Sequence, residues 1–253
     1  MYRRAFINND CHSERSEESI MDSSPVGFRM TTAGEIGLGG VKIILQETTG
    51  RLCPSFEELE QIVSEVHQSK LQVALHAIEE STIEAACSVL ECTLKRFPRI
   101  GHRHRIEHCS VCRPEMANRL ASLGVIVVTQ PAFIYYNGER YLETVAQEEL
   151  KHLYPVSTLI KAGVKVAAGS DCPVVSPNPL VAIYAAVSRK AETGKTILPE
   201  ESISPLEALR MYTRNAAYAS FEEDVKGSIR RGKLADLVVL SSDPMKTPVE
   251  ELK

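Results

Sequence analysis

Three apolar runs of strand length, each ending in an imidazole or carboxylate side chain, constrain this chain most. The runs LQVALH, RIEH and VKVAAGSD end at His76, His108 and Asp171. A helical pattern of about 12 or more residues follows each run, and this alternation is typical of a parallel sheet. Because functional groups of such sheets lie at the carboxyl ends of the strands, the pattern predicts a shared site at one sheet edge.

Helix signals separate the apolar runs. Ser55-Phe-Glu-Glu58 and Ser204-Pro205-Leu-Glu207 are capping boxes, and the second predicts a helix that continues to about residue 220. Five strands are fewer than the eight of a closed (β/α)8 barrel, so we predict an open sheet or part of a barrel. The predicted strands are 41–45, 71–76, 104–108, 125–130 and 164–170.

Composition divides the chain into three parts. Residues 1–34 contain the charged, serine-rich run HSERSEES and are predicted to be a disordered or non-homologous leader. Residues 35–226 carry the alternation of strands and helices and form the predicted main domain. Residues 227–253 include GSIRRGKLADLVVLSSDP, which lies outside that alternation and predicts two short strands of a small β element.

The balance of charged and apolar residues narrows the class of partner. The 253 residues are 43% hydrophobic and carry a formal net charge of -4, with both signs interspersed. This pattern gives no basic surface for nucleic acid, and no apolar stretch approaches the roughly 18 residues of a membrane span. We therefore predict small-molecule partners, with neither nucleic acid nor a membrane as a partner.

Cysteine usage and the first residues indicate the compartment. The 7 cysteines are odd in number and scattered, which fits a reducing compartment better than a disulfide framework. MYRRAFINNDC lacks the apolar core of ~7–15 residues of a secretory signal, so the predicted location is cytoplasmic. Cys109 and Cys112 form a lone CxxC, which we interpret as incidental loop residues and not as a redox or zinc motif.

Lys42 lies within the apolar run VKIIL, where alternation places it on one face with Ile44 and Gln46. A buried ammonium group is costly, whereas reaction of the amine with CO2 gives an anionic carbamate that can act as an oxygen ligand. The alternative is a lysine on an edge strand that extends its charge to water.

The remaining histidines lack the same placement. His102 and His104 precede RIEH, so we expect them near the amino end of that strand and not among the ligands. His67, on the predicted helix 55–69, is expected at the surface. Arg105 and Glu107 share one face of their strand and are expected to pair locally.

Seven motifs occur here in the order in which one known family has them. The chain from about residue 40 resembles the amidohydrolase superfamily, in the subgroup typified by N-substituted formamide deformylases. The resemblance implies an α/β fold: a partial TIM-type barrel with the equivalents of strands 4–8, and a small C-terminal β element of a composite β-sandwich. The motifs are GVKI, LHAI, HRHRIEH, TQPAF, GSDCPV, SPLEALRMYTRNAA and GSIRRGKLADLVVL.

The resemblance also implies a metal site. Lys42 matches the family's carboxylated lysine, His76 and His108 match its two later histidines, and Asp171 matches its aspartate, which both binds metal and acts in catalysis. The HxH motif of the family's first strand has no counterpart in residues 1–40. The resemblance therefore implies one divalent ion, zinc or a similar metal, rather than two.

The implied function is that of a metal-dependent hydrolase, which would cleave carbon-nitrogen bonds of small non-peptide amides with metal-activated water. Asp171 would take the proton of that water and pass it to the leaving nitrogen. Two alternatives stay open. The chain is a truncated, catalytically inactive relic, or it is one half of a split enzyme that pairs with a missing N-terminal half or with a second copy of itself.

Overall fold

The computed structural model describes residues 26–30, 36–48 and 50–253. None of the helices in these ranges combines the length and apolar character that a bilayer span requires. The strands are β1 (Val26–Met30), β2 (Ile36–Ile44), β3 (Gln46–Thr48), β4 (Arg51–Cys53), β5 (Gln72–Ala77), β6 (Arg105–His108), β7 (Ile126–Thr129) and β8 (Lys165–Ala168). The helices are α1 (Phe56–Gln68), α2 (Glu80–Arg96), α3 (Pro114–Ser122), α4 (Ala132–Thr144), α5 (Gln147–Leu150), α6 (Val156–Lys161), α7 (Pro179–Ser188), α8 (Pro205–Tyr212) and α9 (Arg214–Ala219).

One sheet organises the described residues. Its strand order is β1-β2-β5-β6-β7-β8, with β1 antiparallel to β2 and each later neighbouring pair parallel. Strands β3 and β4 form a separate hairpin. All five predicted strands are present, and helices connect them as in βα units, which confirms the α/β class and a partial barrel-type sheet.

The main apolar core lies on one face of this sheet. Leu75 of β5 and Ile106 of β6 are fully buried and belong to one cluster with Leu59 of α1 and Leu90 of α2. Full burial of such a side chain contributes about 1.5–3 kcal/mol. Helix α1 begins at the predicted capping box, in which the Ser55 hydroxyl accepts a hydrogen bond from a backbone amide of the first turn.

Helix α9 packs on the other face of the sheet. Ile126 of β7 and Ala167 of β8 form a small cluster there with Ala219. The Gln72 amide donates to the Ala219 carbonyl at 2.9 Å, which fixes the end of α9 against the start of β5. This packing covers the part of the second face that lies toward the amino ends of the strands.

Two helical predictions differ from the structure. The aromatic stretch after Pro131, for which no helix was predicted from the sequence, is helix α4. The helix predicted from Ser204 to about residue 220 is two helices, because Thr213 leaves helical geometry with φ of −118° and ψ of −90°. Leu206 in the first turn of α8 is 42% exposed.

The two short strands predicted in residues 227–253 are not formed in this structure. Leu237, Val238 and Val239 are 63%, 79% and 97% exposed, respectively. A strand needs a neighbour for its backbone N–H and C=O groups. No strand of the described residues pairs with this segment, so its apolar, β-branched sequence alone does not produce a β element.

The predicted leader is described only in part. Strand β1 lies within residues 1–34 and pairs with β2. Residues 1–25 and 31–35 lie outside the described residues. The leader therefore stays a prediction.

Candidate functional site

The sheet register places Lys42 and His76 on one face. Lys42 lies beside Ala74, and Ile44 lies beside His76, in the parallel pairing of β2 with β5. Side chains two positions apart on a strand point to the same face, so Lys42 and His76 are diagonal neighbours on that face. His76 is nearer to the carboxyl edge of the sheet.

His108 departs from simple strand alternation. Alternation would place it on the core face with Ile106, opposite to His76. Instead the backbone takes φ of +73° at His108 and +53° at Cys109, which turns the chain at the carboxyl edge. The ring centroids of His76 and His108 lie 4.4 Å apart, with the rings inclined at 72°. A non-glycine residue in this region costs about 1–3 kcal/mol and marks a position fixed by its surroundings.

The His108 ring is held by Gln130, the residue that follows β7. The Nδ1 atom of His108 lies 2.7 Å from the Oε1 atom of Gln130. His108 is 4% exposed and Gln130 is 3% exposed. No role was predicted for Gln130 from the sequence. The feature that could have indicated one is its position, as a polar residue at the carboxyl end of the strand next to β6.

Arg105 and Glu107, which were expected to pair locally with neighbours, pair with each other. Arg105 Nε lies 2.6 Å from Glu107 Oε1, and both side chains are largely buried. The two atoms do not make a well-aligned hydrogen bond, so the contact acts mainly through charge. Glu107 lies beside His76 in the register of β5 with β6, which adds a carboxylate to the same face.

Asp171 follows β8 and has a positive φ of 56°. Burial raises the pKa of the nearby Tyr154 phenol well above its ordinary value, and the negative charge of Asp171 acts in the same direction. The carboxylate therefore lies within electrostatic range of the second apolar cluster, to which Tyr154 belongs.

The described residues do not supply a complete metal site. Within residues 26–30, 36–48 and 50–253, no group of three or more His, Cys, Asp or Glu side chains is placed to hold a metal ion. His76 and His108 lie together, Asp171 does not complete such a group with them, and Lys42 would contribute only as a carbamate. Catalytic zinc sites use three protein ligands and a water, so the imidazole pair fits such an ion as part of a ligand set. The full set stays a prediction.

A second group of histidines lies at the opposite end of the sheet. His67 Nε2 lies 2.8 Å from the Phe97 carbonyl, so this nitrogen carries a proton and donates it. His67 Nδ1 must then accept from His104 Nε2, at 2.7 Å. The remaining nitrogen of His104, Nδ1, accepts from the Val73 amide at 2.9 Å. Each ring therefore has one proton and is neutral.

His102 extends this network in the same sense. Its Nε2 donates to the Leu123 carbonyl and its Nδ1 accepts from the His104 amide, both at 2.9 Å. The prediction that His102 and His104 lie away from the carboxyl edge agrees with this placement, since both precede β6. The surface prediction for His67 was wrong: this side chain is 2% exposed, because it bridges α1 to the start of β6.

Burial lowers the pKa of all three histidines of this network. For His104, which is fully buried, burial and the neighbouring His102 and Arg99 lower the pKa to about 2. For His67 and His102, burial is the main cause, and a hydrogen bond to a backbone carbonyl opposes it in part. The network is therefore a neutral structural element.

The CxxC cysteines lie in the core next to His108. Cys109 and Cys112 are each 1% exposed. A hydrogen bond with Cys112, together with burial, raises the pKa of the Cys109 thiol well above its ordinary value. Burial also raises the pKa of the neighbouring Cys87 thiol to about 11. Reactive cysteines have depressed pKa values and partial exposure, so this environment is that of inert thiols.

We expect thiol reagents to distinguish two classes of cysteine in the native protein. Cys92 and Cys172 are exposed and should react rapidly with Ellman's reagent, whereas Cys87, Cys109 and Cys112 should react only on unfolding. Mass spectrometry of the labelled peptides assigns the sites. Rapid labelling of Cys109 or Cys112 in the folded protein would contradict this interpretation and favour a redox role for the CxxC motif.

Comparison with known proteins gives one family over most of the chain. The family described as the amidohydrolase family matches residues 17–253. The N-substituted formamide deformylase of Arthrobacter pascens is 34% identical over 199 residues, which are 75% of this chain and 36% of that protein. The family match begins within the segment that we predicted as a leader.

Solved structures show the same relationship. The crystal structure of a metal-dependent hydrolase from Pyrococcus horikoshii OT3 has a TM-score of 0.72 and 27% identity, over 84% of this chain and 46% of that one. The structure of a metal-dependent hydrolase from Pyrococcus furiosus has a TM-score of 0.69 and 28% identity, over 82% and 45% of the two chains. The chain thus spans less than half the length of each of these proteins.

Proposed function

The chain belongs to the amidohydrolase family, and on this premise we propose that it hydrolyses a carbon-nitrogen bond in a small non-peptide amide. Deformylation in the Arthrobacter pascens relative supports a substituted amide of a small acid as the substrate class. The reaction would take place at the carboxyl edge of the sheet, where His76 and His108 meet.

One observation carries this proposal. The two imidazole rings lie 4.4 Å apart at the sheet edge, and the Nδ1 atom of His108 is already hydrogen-bonded to Gln130. Imidazole is a common ligand of zinc, and a ring whose one nitrogen is engaged by a neighbouring residue presents the other to the ion.

The residues of this chain would have distinct tasks. His76 and His108 would hold a divalent ion through ring nitrogens, and Lys42, on the same face as His76, would add an oxygen ligand as a carbamate. Such an ion polarises a carbonyl group and lowers the pKa of bound water. Asp171 would accept a proton from the attacking water and return it to the leaving nitrogen.

Hydrolysis of N-formyl and N-acyl amines in the presence of zinc or manganese tests this proposal. We expect turnover by the unaltered chain and a loss of about 10²–10⁴-fold in kcat for Asp171→Asn, the range typical of a general acid or base. Asp243→Asn, at an exposed position near the C-terminus, serves as the matched control and should keep full activity. Equal activity of both variants would contradict the role of Asp171.

A second candidate follows from the incomplete ligand set. The described residues hold no three-ligand group, so a further segment or a second chain would complete the site. In that case this chain alone would bind zinc weakly and would not turn over amides. An inactive relic would behave in the same way alone, but no added partner would restore activity.

Metal analysis combined with a size measurement separates these candidates. An active monomer that retains about one zinc ion per chain supports the first proposal. Zinc retained only in a larger assembly supports completion by a second chain. A monomer with neither zinc nor turnover on a broad amide panel fits a relic or a chain that lacks its partner, and activity restored by an added partner chain would distinguish the second from the first.

A further inference from the structure

Gln130 fixes the position of a buried ring that the proposed function places in the metal site. The Gln130 carbonyl accepts a hydrogen bond from the amide of Phe133 at 3.0 Å, at the start of helix α4. The neighbouring Thr129 carbonyl accepts the amide of Gly169 at 3.1 Å. The backbone around Gln130 is therefore held by both the following helix and the following strand, and the side chain is 3% exposed.

The orientation of the Gln130 amide follows from its two contacts. Its Nε2 atom points toward the Val128 carbonyl at 3.5 Å, and its Oε1 atom faces His108 Nδ1 at 2.7 Å. The opposite orientation would bring the amide oxygen against the Val128 carbonyl oxygen, which cannot donate. The oxygen therefore faces the imidazole ring.

An amide oxygen can only accept a hydrogen bond, so His108 must carry its proton on Nδ1. In the neutral ring, Nε2 then has a free lone pair. Neutral imidazole in water exists as a mixture of both tautomers, and only the one protonated on Nδ1 can bind a cation through Nε2. A neighbour that accepts from Nδ1 thus selects the binding form.

We propose that Gln130 is a positioning residue, which selects the Nδ1-protonated tautomer of His108 and so presents Nε2 to a divalent cation. This inference rests on the proposed function for its cation, and on the Gln130 contact for the tautomer. Gln130 itself would touch neither the cation nor the substrate. A purely structural glutamine would affect stability without any effect on the His108 tautomer.

Ring nitrogen NMR of the metal-free protein tests the first half of the proposal. Long-range proton-nitrogen correlations of the His108 ring should show the Nδ1-protonated form in the unaltered chain. Gln130→Leu, which removes the acceptor, should shift the ring toward the Nε2-protonated form. Gln130→Glu keeps an acceptor in place and should preserve the original tautomer.

Zinc titration by calorimetry tests the second half. Gln130→Leu should weaken zinc binding about 10–100-fold, as is typical when the partner of a ligating histidine is removed, and Gln130→Glu should restore it. The matched control is Gln72→Leu. Gln72 is a buried glutamine whose amide donates to the carbonyls of Arg103 and Ala219 at the amino end of the sheet. This control should lower the melting temperature but leave the tautomer and zinc affinity unchanged.

The outcomes separate this inference from the proposed function. An unchanged tautomer in Gln130→Leu, or a control that changes it equally, overturns the inference. If Gln130→Leu does not fold, a Gln130→Glu variant that loses the Nδ1-protonated form overturns it as well. A shifted tautomer with weakened zinc binding, in a protein that hydrolyses no amide, supports the inference and defeats the proposed function. An unaltered chain that binds no zinc overturns the cation half.

Discussion

Lowering the pH from 7 to 5 is expected to remove several kcal/mol from the free energy of unfolding, because three buried histidines must stay neutral in the fold. His67, His102 and His104 use both ring nitrogens in hydrogen bonds that assign one proton to each ring. A second proton would have to face an amide N–H or another ring N–H. Protonation of any member therefore breaks the network.

The sign of the pH effect follows from the lowered pKa values. Each histidine binds a proton in the unfolded chain near pH 6.5 but not in the folded chain, whose pKa values lie lower. Stability is thus fully present above pH 6.5 and decreases as the pH falls. A histidine that stays neutral in the fold loses up to about 1.4 kcal/mol per pH unit in this range.

The charged groups around the network reinforce this direction. Arg99 lies close to all three histidines, and Lys70 adds a positive charge near His67. No carboxylate of the described residues is among the groups that shift the pKa of these three rings. The carboxylates whose pKa is lowered by ion pairs elsewhere lose their contribution only below about pH 4.5, so the range from 6.5 to 5 reports on histidine.

Urea unfolding between pH 5 and pH 8 measures this effect. The slope of the unfolding free energy against pH should correspond to the uptake of as many as three protons on unfolding. His67→Gln should reduce this number by one, whatever its effect on stability at neutral pH. His152→Gln, at a half-buried histidine outside the network, is the matched control and should retain the full slope. A stability that stays flat down to pH 5 would contradict the neutral network.

Five of the eight described strands, β2 and β5 to β8, were predictable from the sequence because their signals are local. LQVALH and VKVAAGSD are apolar runs, which are typical of strands covered on both faces. The helix patterns between the runs indicate crossover connections, which join parallel strands. The capping box at Ser55 marked the start of α1 correctly. Helix α4 was not predicted because its tyrosines and phenylalanine are weak helix formers. Packing against α7 stabilises this helix in place of intrinsic helix propensity.

The contacts of the candidate site could not be predicted from the sequence, because they depend on turns and on neighbours distant in sequence. Strand alternation placed His108 on the core face, and only the positive φ at His108 and Cys109 brings its ring to His76. Gln130 is 22 positions away from His108. His67 and His104 are 37 positions apart and were assigned to different environments. None of these pairings follows from a periodic pattern.

The C-terminal β element was predicted from the sequence but is not formed in the structure. The apolar run at 237–240 has the composition of a strand, yet the segment remains exposed and unpaired in the structure. Strand propensity describes how a side chain fits a sheet that already exists. A single strand buries neither its backbone groups nor its apolar side chains, so the pattern alone could not decide the outcome.

Replacing His108 by alanine is expected to abolish zinc retention, a larger effect than that of removing its outer partner Gln130. His108 contributes one of the two imidazole rings that lie 4.4 Å apart at the carboxyl edge of the sheet, and its replacement by alanine removes one of the proposed ring-nitrogen ligands. Loss of an outer partner of a ligand costs about 10–100-fold in affinity, and loss of the ligand itself should exceed this range.

The decisive comparison is with His102→Ala, which removes a buried histidine of the same strand region without touching the sheet edge. His102 bonds to Leu123 and to the His104 amide, so its replacement should cost about 1–3 kcal/mol of stability but leave zinc affinity intact. Zinc content after gel filtration and calorimetric titration of both variants give the result. If His108→Ala retained zinc as well as His102→Ala does, the imidazole pair would be core packing, and the metal site would have to lie elsewhere. Loss of zinc in His108→Ala alone would instead assign the sheet edge to metal binding, whether or not the chain completes its ligand set by itself.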